Sequence, residues 1–136
     1  MSQTNTYLCL DVGEVRTGVA VADSKVRIPI PYETFSMDKS SLRTEVARLV
    51  AVHDADTIVI GYPRNQSGEP TAQTRFVEGQ AETLQDMDVH IVFQDESLSS
   101  VEAERRLKSR HRPYGKADID AEAACIILES YLEGHK

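Results

Sequence analysis

Acidic residues end two apolar segments of this 136-residue chain. Asp11 closes one apolar, β-prone run and stands two positions before Gly13, while Glu96 follows another such run. A buried, unpaired carboxylate is costly, so an acid at such a position either caps a turn or binds a cation. Carboxylates are preferred ligands of Mg²⁺ and Mn²⁺, and bound cations of this kind activate water against a phosphodiester. These residues are therefore candidates for a metal-dependent site that hydrolyses phosphodiester bonds.

The last predicted helix carries two acids, Asp118 and Asp120, which helical geometry separates. Residues three and four positions apart share a face of a helix. Asp118 falls on a polar face, so we interpret it as an N-cap or as part of the acidic first turn that the helix dipole favours. Asp120 aligns instead with small and apolar residues, namely Ala123, Ala124 and Ile127. An acid on the packed face of a helix predicts a functional role for Asp120.

Each acid also has a structural explanation when it is considered alone. Asp11 fits a turn, and the adjacent carboxylates of Asp95 and Glu96 fit a solvated loop. The D-x-G-x-x-x-x-G spacing that starts at Asp11 favours a functional explanation. Gly13 and Gly18 within it would let the backbone and a bound phosphate or metal approach each other closely. The interpretation thus depends on whether the fold brings the acids together.

No other catalytic pattern competes with the acids. The two cysteines, Cys9 and Cys125, lie far apart in apolar surroundings, so we interpret them as reduced core thiols rather than zinc ligands. The sequence has no G-x-S-x-G nucleophile motif. The histidines form no ligand pair at helical spacing; they are His53, His90, His111 and His135.

The elements that must position the acids follow from the hydrophobic pattern. Two β-prone runs, 7–12 and 17–23, predict an antiparallel hairpin, and Pro29 and Pro31 restrict the following strand to an edge of the sheet. The remaining predicted elements are a strand at 26–34, a helix at about 40–53, a strand at 57–62, a helix at about 70–86, a strand at 88–94, a helix that begins near Ser99 with Ser99 or Ser100 as its cap, and a helix at about 118–133.

This order of elements predicts an α/β fold with a five-stranded mixed sheet. An antiparallel meander precedes parallel strands, helices cover both faces, and the first strand is expected at the centre. Parallel strands present their carboxyl ends at one edge of a sheet, where ligand sites collect, so Asp11, Glu96 and Asp120 can converge there. With 136 residues and 40% hydrophobic content, we expect one domain that spans residues 1–136.

Composition also bears on location and partners. No apolar run approaches the roughly 20 residues that cross a bilayer, and the first residues are polar, so we expect a cytoplasmic protein without a membrane partner.

The net charge of −7 argues against a general attraction to nucleic acid. One segment, RRLKSRHRPYGK at 105–116, has no acid and could contact a phosphate backbone, although in isolation a solvated helix end and loop explain it better. Its six basic residues are Arg105, Arg106, Lys108, Arg110, Arg112 and Lys116.

Four ordered motifs carry a family resemblance that spans nearly the whole chain. They are LCLDVGEVRTGVAVAD at 8–23, TIVIGYPRNQSGEP at 57–70, QDESLSSVEAERRL at 94–107 and IDAEAACIILESYL at 119–132. In order and spacing the motifs resemble those of the YqgF family, also called RuvX, of Holliday junction resolvase-like proteins. The resemblance implies a ribonuclease H-like fold and a cytoplasmic bacterial nuclease. It also implies maturation of the 5′ end of pre-16S ribosomal RNA or, by analogy with RuvC, action on branched DNA.

The resemblance assigns roles to individual residues. Carried over by position, catalysis and the binding of Mg²⁺ or Mn²⁺ fall on Asp11, Glu96 and Asp120. Asp95, beside Glu96, is a further candidate metal ligand. Arg16 and the basic residues of segment 105–116 are then the candidate contacts to nucleic acid, and such contacts would give salt-dependent affinity without sequence selectivity.

Departures from the family pattern keep other functions open. Ser97 and Val15 stand where a basic residue is usual, which removes positive charge near the expected phosphate and favours a non-catalytic RNA- or ribosome-associated binding protein. A Holliday junction resolvase-like DNA endonuclease is a second alternative. Its two symmetric cuts would need a dimer, and we expect a monomer or a weak homodimer. An ATPase of the actin type shares the D-x-G element but needs a second domain, for which 136 residues leave no room.

Overall fold

The strands and helices follow the predicted order. The computed structural model describes residues 4–65, 67–96 and 99–135. In chain order the elements within these ranges are β1 (Thr6–Val12), β2 (Arg16–Asp23), β3 (Ile30–Ser36), α1 (Leu42–His53), β4 (Thr57–Pro63), α2 (Ala72–Glu82), β5 (His90–Glu96), α3 (Ser99–Ser109) and α4 (Lys116–Gly134).

The five strands form one mixed sheet in the order β3-β2-β1-β4-β5. β1 lies at the centre, with β2 antiparallel on one side and β4 parallel on the other. β3 continues the antiparallel meander at one edge, and β5 adds a second parallel pairing at the opposite edge. The predictions of a mixed α/β sheet, a central first strand and a proline-containing edge strand are therefore confirmed.

Helices cover both faces of the sheet and create two cores. On one face α1 and α2 pack against alternate residues of β1 and β4, such as Leu8 and Ile58. On the other face α4 packs against the residues between them, such as Cys9 and Val59, and α3 packs on α4. Because β1 and β4 are buried on both sides, their sequences are continuous apolar runs rather than alternating ones.

The two cysteines lie in the core under α4 and are free thiols, as predicted. Burial raises the pKa of Cys125 to about 12. Burial also raises the pKa of Cys9 well above its usual value, and the nearby Asp11 and Glu96 carboxylates add to that rise. Both groups are therefore neutral core thiols. In the described ranges no helix combines the length and apolar character that crossing a bilayer requires.

Several element boundaries differ from the predicted ones, and β5 spans His90–Glu96 rather than 88–94. β3 begins at Ile30 rather than at residue 26, because the Asp23 carboxylate accepts the N–H groups of Lys25 and Val26 and Arg27 adopts a φ of 61°. α2 ends at Glu82 rather than near residue 86, because the next residues form a tight turn. α4 begins at Lys116, two residues earlier than expected.

Candidate active site

Asp11 and Glu96 lie on the same face of the sheet, at the carboxyl ends of β1 and β5. Side chains alternate between the two faces of a strand, so Asp11 shares its face with Cys9 and Glu96 shares its face with Val92. Cys9 and Val92 both belong to the core under α4. Parallel pairing through β4 brings the two carboxyl ends to one edge of the sheet, so the two carboxylates are neighbours there.

Asp120 enters the same site because α4 approaches β2 at a glycine. A Cβ atom on Gly18 would lie 2.1 Å from the carbonyl oxygen of Asp120. Gly18 is paired with Asp11 across the hairpin, so this contact sets Asp120 beside Asp11. The sequence hypothesis that Gly18 makes room for a ligand is therefore wrong, since the space is filled by the backbone of α4. Gly13 likewise closes the hairpin turn, where its N–H donates to the carbonyl of Arg16 at 3.0 Å.

A second glycine, which the sequence analysis did not single out, lies beside Glu96. A Cβ atom on Gly61 would lie 3.1 Å from Cδ of Glu96 and 2.7 Å from Cδ1 of Ile127. The missing side chain leaves room for the glutamate under α4. The Ser99 hydroxyl, which we predicted as a helix cap, donates instead to Oε2 of Glu96 at 2.9 Å. Gly61 and Ser99 thus position Glu96.

The three carboxylates repel one another. Burial, then the charge of Glu96, then that of Asp120, raise the pKa of Asp11 to about 8. Burial also raises the pKa of Glu96, and the Ser99 hydrogen bond offsets part of that rise. Among the described residues, no side-chain donor forms a hydrogen bond to the Asp11 carboxylate. A cation bound between Asp11 and Glu96 would remove the repulsion, so the donor chemistry of this pair fits a hard divalent ion.

Arg16 neutralises the third carboxylate. Its Nε lies 2.5 Å from Oδ2 of Asp120, with the two side chains 34% and 19% exposed. In ranges 4–65, 67–96 and 99–135, no group of three or more His, Cys, Asp or Glu side chains has a geometry that could hold a metal ion. The structure thus brings Asp11, Glu96 and Asp120 together but pairs Asp120 with Arg16. Mg²⁺ commonly uses only one or two carboxylates and keeps several waters, so Asp11 and Glu96 still fit.

Asp95 does not belong to this cluster. β5 extends through Glu96, so alternation turns Asp95 to the opposite face of the sheet. There its side chain is 70% exposed, and its Oδ1 lies 3.5 Å from Nε of Arg64. The structure therefore gives no support to Asp95 as a metal ligand.

Of the two departures from the family pattern, Ser97 lies outside the described residues, and Val15 is exposed in the hairpin turn.

Two of the six basic residues of segment 105–116 join α3 to α4. Arg106 forms a bidentate ion pair with Glu129 at 2.8 and 2.9 Å. Arg110 forms another with Glu122 at 3.0 and 3.1 Å, and Arg105 pairs with a glutamate within α3. Glu122 is buried, because α3 covers it. We therefore reinterpret Arg106 and Arg110 as structural residues and not as contacts to nucleic acid.

Other basic residues stay available at the surface. Lys108, Arg112 and Lys116 are exposed and form no ion pair with any described residue. Lys116 and Arg16 also line a groove of about 350 Å³ that reaches Asp120. The exposed Val101 and the partly buried Ile119 give this groove an apolar side. A chain carrying phosphates and bases could thus lie directly beside the acidic cluster.

The fold and site define a class of nuclease. The structure matches that of Thermus thermophilus RuvC, solved in complex with a Holliday junction substrate, with a TM-score of 0.59, 12% sequence identity and coverage of 96% of each chain. The chain thus has the ribonuclease H-like fold. A family model described as RuvX, Holliday junction resolvase, matches residues 5–134. The chain belongs to this family, whose members are nucleases that hydrolyse phosphodiester bonds.

Relatives from several bacteria support the family assignment. A protein of Paraburkholderia phymatum is 37% identical over 131 residues, which cover 95% of this chain and 85% of that protein. One of Chloroflexus aurantiacus is 35% identical, with coverage of 95% and 87%. One of Nitratidesulfovibrio vulgaris is 37% identical, with coverage of 93% and 92%. All three carry the name “Putative pre-16S rRNA nuclease”.

Proposed function

We propose that residues 1–136 act as one ribonuclease H-like nuclease domain that uses Mg²⁺ or Mn²⁺ to process the 5′ end of pre-16S ribosomal RNA. One observation carries the proposal, namely the partly buried Asp11 carboxylate that faces Glu96 and Asp120 at the carboxyl edge of the sheet. The names of the bacterial relatives support the substrate. Bacterial ribosomes assemble in the cytoplasm, so we place the activity there.

Asp11 and Glu96 would hold the cation, with Asp120 as a third ligand. A bound divalent cation supplies charge to the phosphate oxygens and lowers the pKa of a coordinated water. The Ser99 hydroxyl fixes one oxygen of Glu96, and Gly61 leaves the space in which that side chain lies. α4 covers the site from one side and limits the access of bulk water to Asp11, which strengthens the electrostatic interactions there.

The exposed basic residues near the groove would position the RNA backbone. We expect the double substitution Arg112→Ala and Lys116→Ala to weaken RNA binding. A plot of log affinity against log salt concentration should become less steep by about 1.4, since each phosphate contact on a single strand contributes about 0.7 to that slope. Fluorescence anisotropy at several salt concentrations measures this slope.

Arg106→Ala is the matched control for that substitution, because it removes a nearby positive charge that pairs with Glu129. It should leave the salt slope nearly unchanged and lower the free energy of unfolding by about 1 kcal/mol. If the control, which removes one charge rather than two, changes the slope by about 0.7, general charge rather than specific contact explains the binding.

Branched DNA is a second candidate substrate. The family description and the fold shared with RuvC both favour it. Resolution of a junction requires two symmetric cuts and hence two sites, whereas trimming of a ribosomal RNA precursor requires one. We propose a monomer or a weak homodimer, which suits the RNA substrate better.

A non-catalytic RNA- or ribosome-associated role is the third candidate. The Arg16–Asp120 ion pair favours it, as does the lack of a three-ligand metal geometry among the described residues. A catalytic protein and a binding protein with this fold would both retain RNA. Only a cleavage assay distinguishes between them.

The test compares wild type with Glu96→Gln, purified identically, on a 5′-extended 16S precursor RNA and on a four-way DNA junction. With Mn²⁺ we expect wild type to shorten the RNA, and we expect Glu96→Gln or added EDTA to slow this cleavage by at least about 100-fold. Faster cleavage of the junction would favour the DNA substrate. Equal trace activity in wild type and variant would indicate contamination and leave the binding role.

A further inference from the structure

We propose that Arg16 is a positioning residue that competes with the divalent cation for the carboxylate of Asp120. In this arrangement Arg16 holds the carboxylate of Asp120 in an ion pair until the cation arrives, and it then turns toward the bound phosphate. The inference rests on the proposed metal-dependent function, but its test measures metal binding without any substrate.

The geometry of the pair supports an exchange of partners by side-chain motion. Arg16 begins β2, and Asp120 lies in the second turn of α4, so both side chains extend from fixed elements. The α4 backbone is held at Asp120 by its contact with Gly18. To bind a cation between Asp11 and Glu96, the Asp120 carboxylate would rotate away from Nε of Arg16, now 2.5 Å distant.

Electrostatics give the exchange a direction. Asp120 is close enough to Asp11 for their charges to interact, yet it forms its ion pair with Arg16. A divalent cation between Asp11 and Glu96 brings two positive charges, against one on Arg16, and so attracts the same carboxylate. The released guanidinium lines the groove that also contains Lys116, where a planar fork of donors can bind a phosphate.

Mn²⁺ titration of the free protein tests the competition. We expect Arg16→Gln to lower the dissociation constant for Mn²⁺ by about fivefold. The cation then no longer has to break the partly exposed Arg16–Asp120 ion pair, and breaking a pair of this kind weakens binding by about that factor. Arg16→Lys keeps a positive charge beside Asp120 and should give a smaller change. Arg64→Gln removes the same charge beside Asp95, on the other face of β5, and should change the constant less than about twofold.

The double-variant cycle with Asp120→Asn separates the exchange from a general charge effect. In the Asp120→Asn background, Arg16→Gln should change Mn²⁺ affinity less than about twofold, because no carboxylate remains to be released. Circular dichroism and the unfolding midpoint establish that each variant retains the fold.

Three results would overturn the proposal: unchanged or weaker Mn²⁺ binding by Arg16→Gln, a gain that persists with Asp120→Asn, or no Mn²⁺ binding by either wild type or Arg16→Gln. If Arg16→Gln binds Mn²⁺ and wild type does not, the result supports the competition, because Arg16 then prevents binding completely. If the predicted gain occurs but no variant cleaves nucleic acid, the exchange at Asp120 stands and the proposed nuclease function fails.

Discussion

Asp11→Asn is expected to abolish cleavage and, at the same time, to stabilise the metal-free protein. We expect the cleavage rate to fall by about 1,000-fold or more, because loss of the ligand removes several kcal/mol of charge stabilisation in the transition state. We expect the free energy of unfolding to rise by about 2–4 kcal/mol near neutral pH, because the wild-type chain must take up a proton at Asp11 when it folds, or else bury that charge beside Glu96 and Asp120, whereas asparagine needs neither. Opposite effects on activity and stability identify a functional acid.

The pH dependence of this stabilisation follows from the direction of the pKa shift. The pKa of Asp11 is raised on folding from 3.8 to about 8, so the unfolded chain loses its proton first. The contribution of Asp11 to wild-type stability is therefore greatest below pH 4 and declines as the pH rises toward 8. The gain from Asp11→Asn should be smallest at the acid end of this window and largest at pH 8.

Denaturant unfolding in EDTA at several pH values measures the effect, alongside the cleavage assay. Asp95→Asn is the matched control, because Asp95 is exposed on the opposite face of β5. It should change stability by no more than about 0.5 kcal/mol. If Asp11→Asn were less stable than wild type at pH 8, Asp11 would be a structural residue and the site assignment would fail.

Gly18→Ala is expected to disrupt the packing of α4 and to remove activity with it. The added Cβ would lie 2.1 Å from the carbonyl oxygen of Asp120 and 2.7 Å from the backbone nitrogen of Ala121, so the helix must move away from β2. Overpacking of this kind costs about 3 kcal/mol, and the displaced helix takes Asp120 with it. Thermal or denaturant unfolding and the cleavage assay should therefore both show a loss.

Gly79→Ala is the control for this substitution. Gly79 lies within α2, and its Cβ would meet no atom within 4 Å. Alanine there should raise the free energy of unfolding by about 0.5–1 kcal/mol, because glycine is a weak helix former. Equal stability of Gly18→Ala and wild type would show that α4 can lie farther from the sheet without cost, contrary to the packing described above.

Local patterns predicted most of the fold. The apolar runs of β1 and β4 indicated strands buried on both faces, and both lie in the interior of the sheet. The helix-face argument placed Asp118 in a solvated first turn, where it accepts the N–H of Gly115 at 2.8 Å. The same argument turned Asp120 inward, and Asp120 indeed lies beside Asp11. These successes share a cause, since periodicity is a local property of the sequence.

The errors concern partners that are distant in the sequence. Arg106 and Arg110 were expected to face a phosphate backbone, but each pairs with a glutamate of α4. Arg16 pairs with Asp120 across most of the chain length. No periodic pattern predicts which charges a tertiary fold will bring together. The position of Asp95 was within reach of sequence reasoning, because extending β5 by two residues turns it away from Glu96.

The location of Mn²⁺ in crystals of the protein tests the central claim most directly. Anomalous scattering from crystals soaked in Mn²⁺ is predicted to show a peak within about 2.5 Å of carboxylate oxygens of both Asp11 and Glu96, near the distances that hard cations adopt. The peak should disappear in Asp11→Asn. A well-occupied peak elsewhere, with none between Asp11 and Glu96, would contradict the assignment of these acids as the metal site.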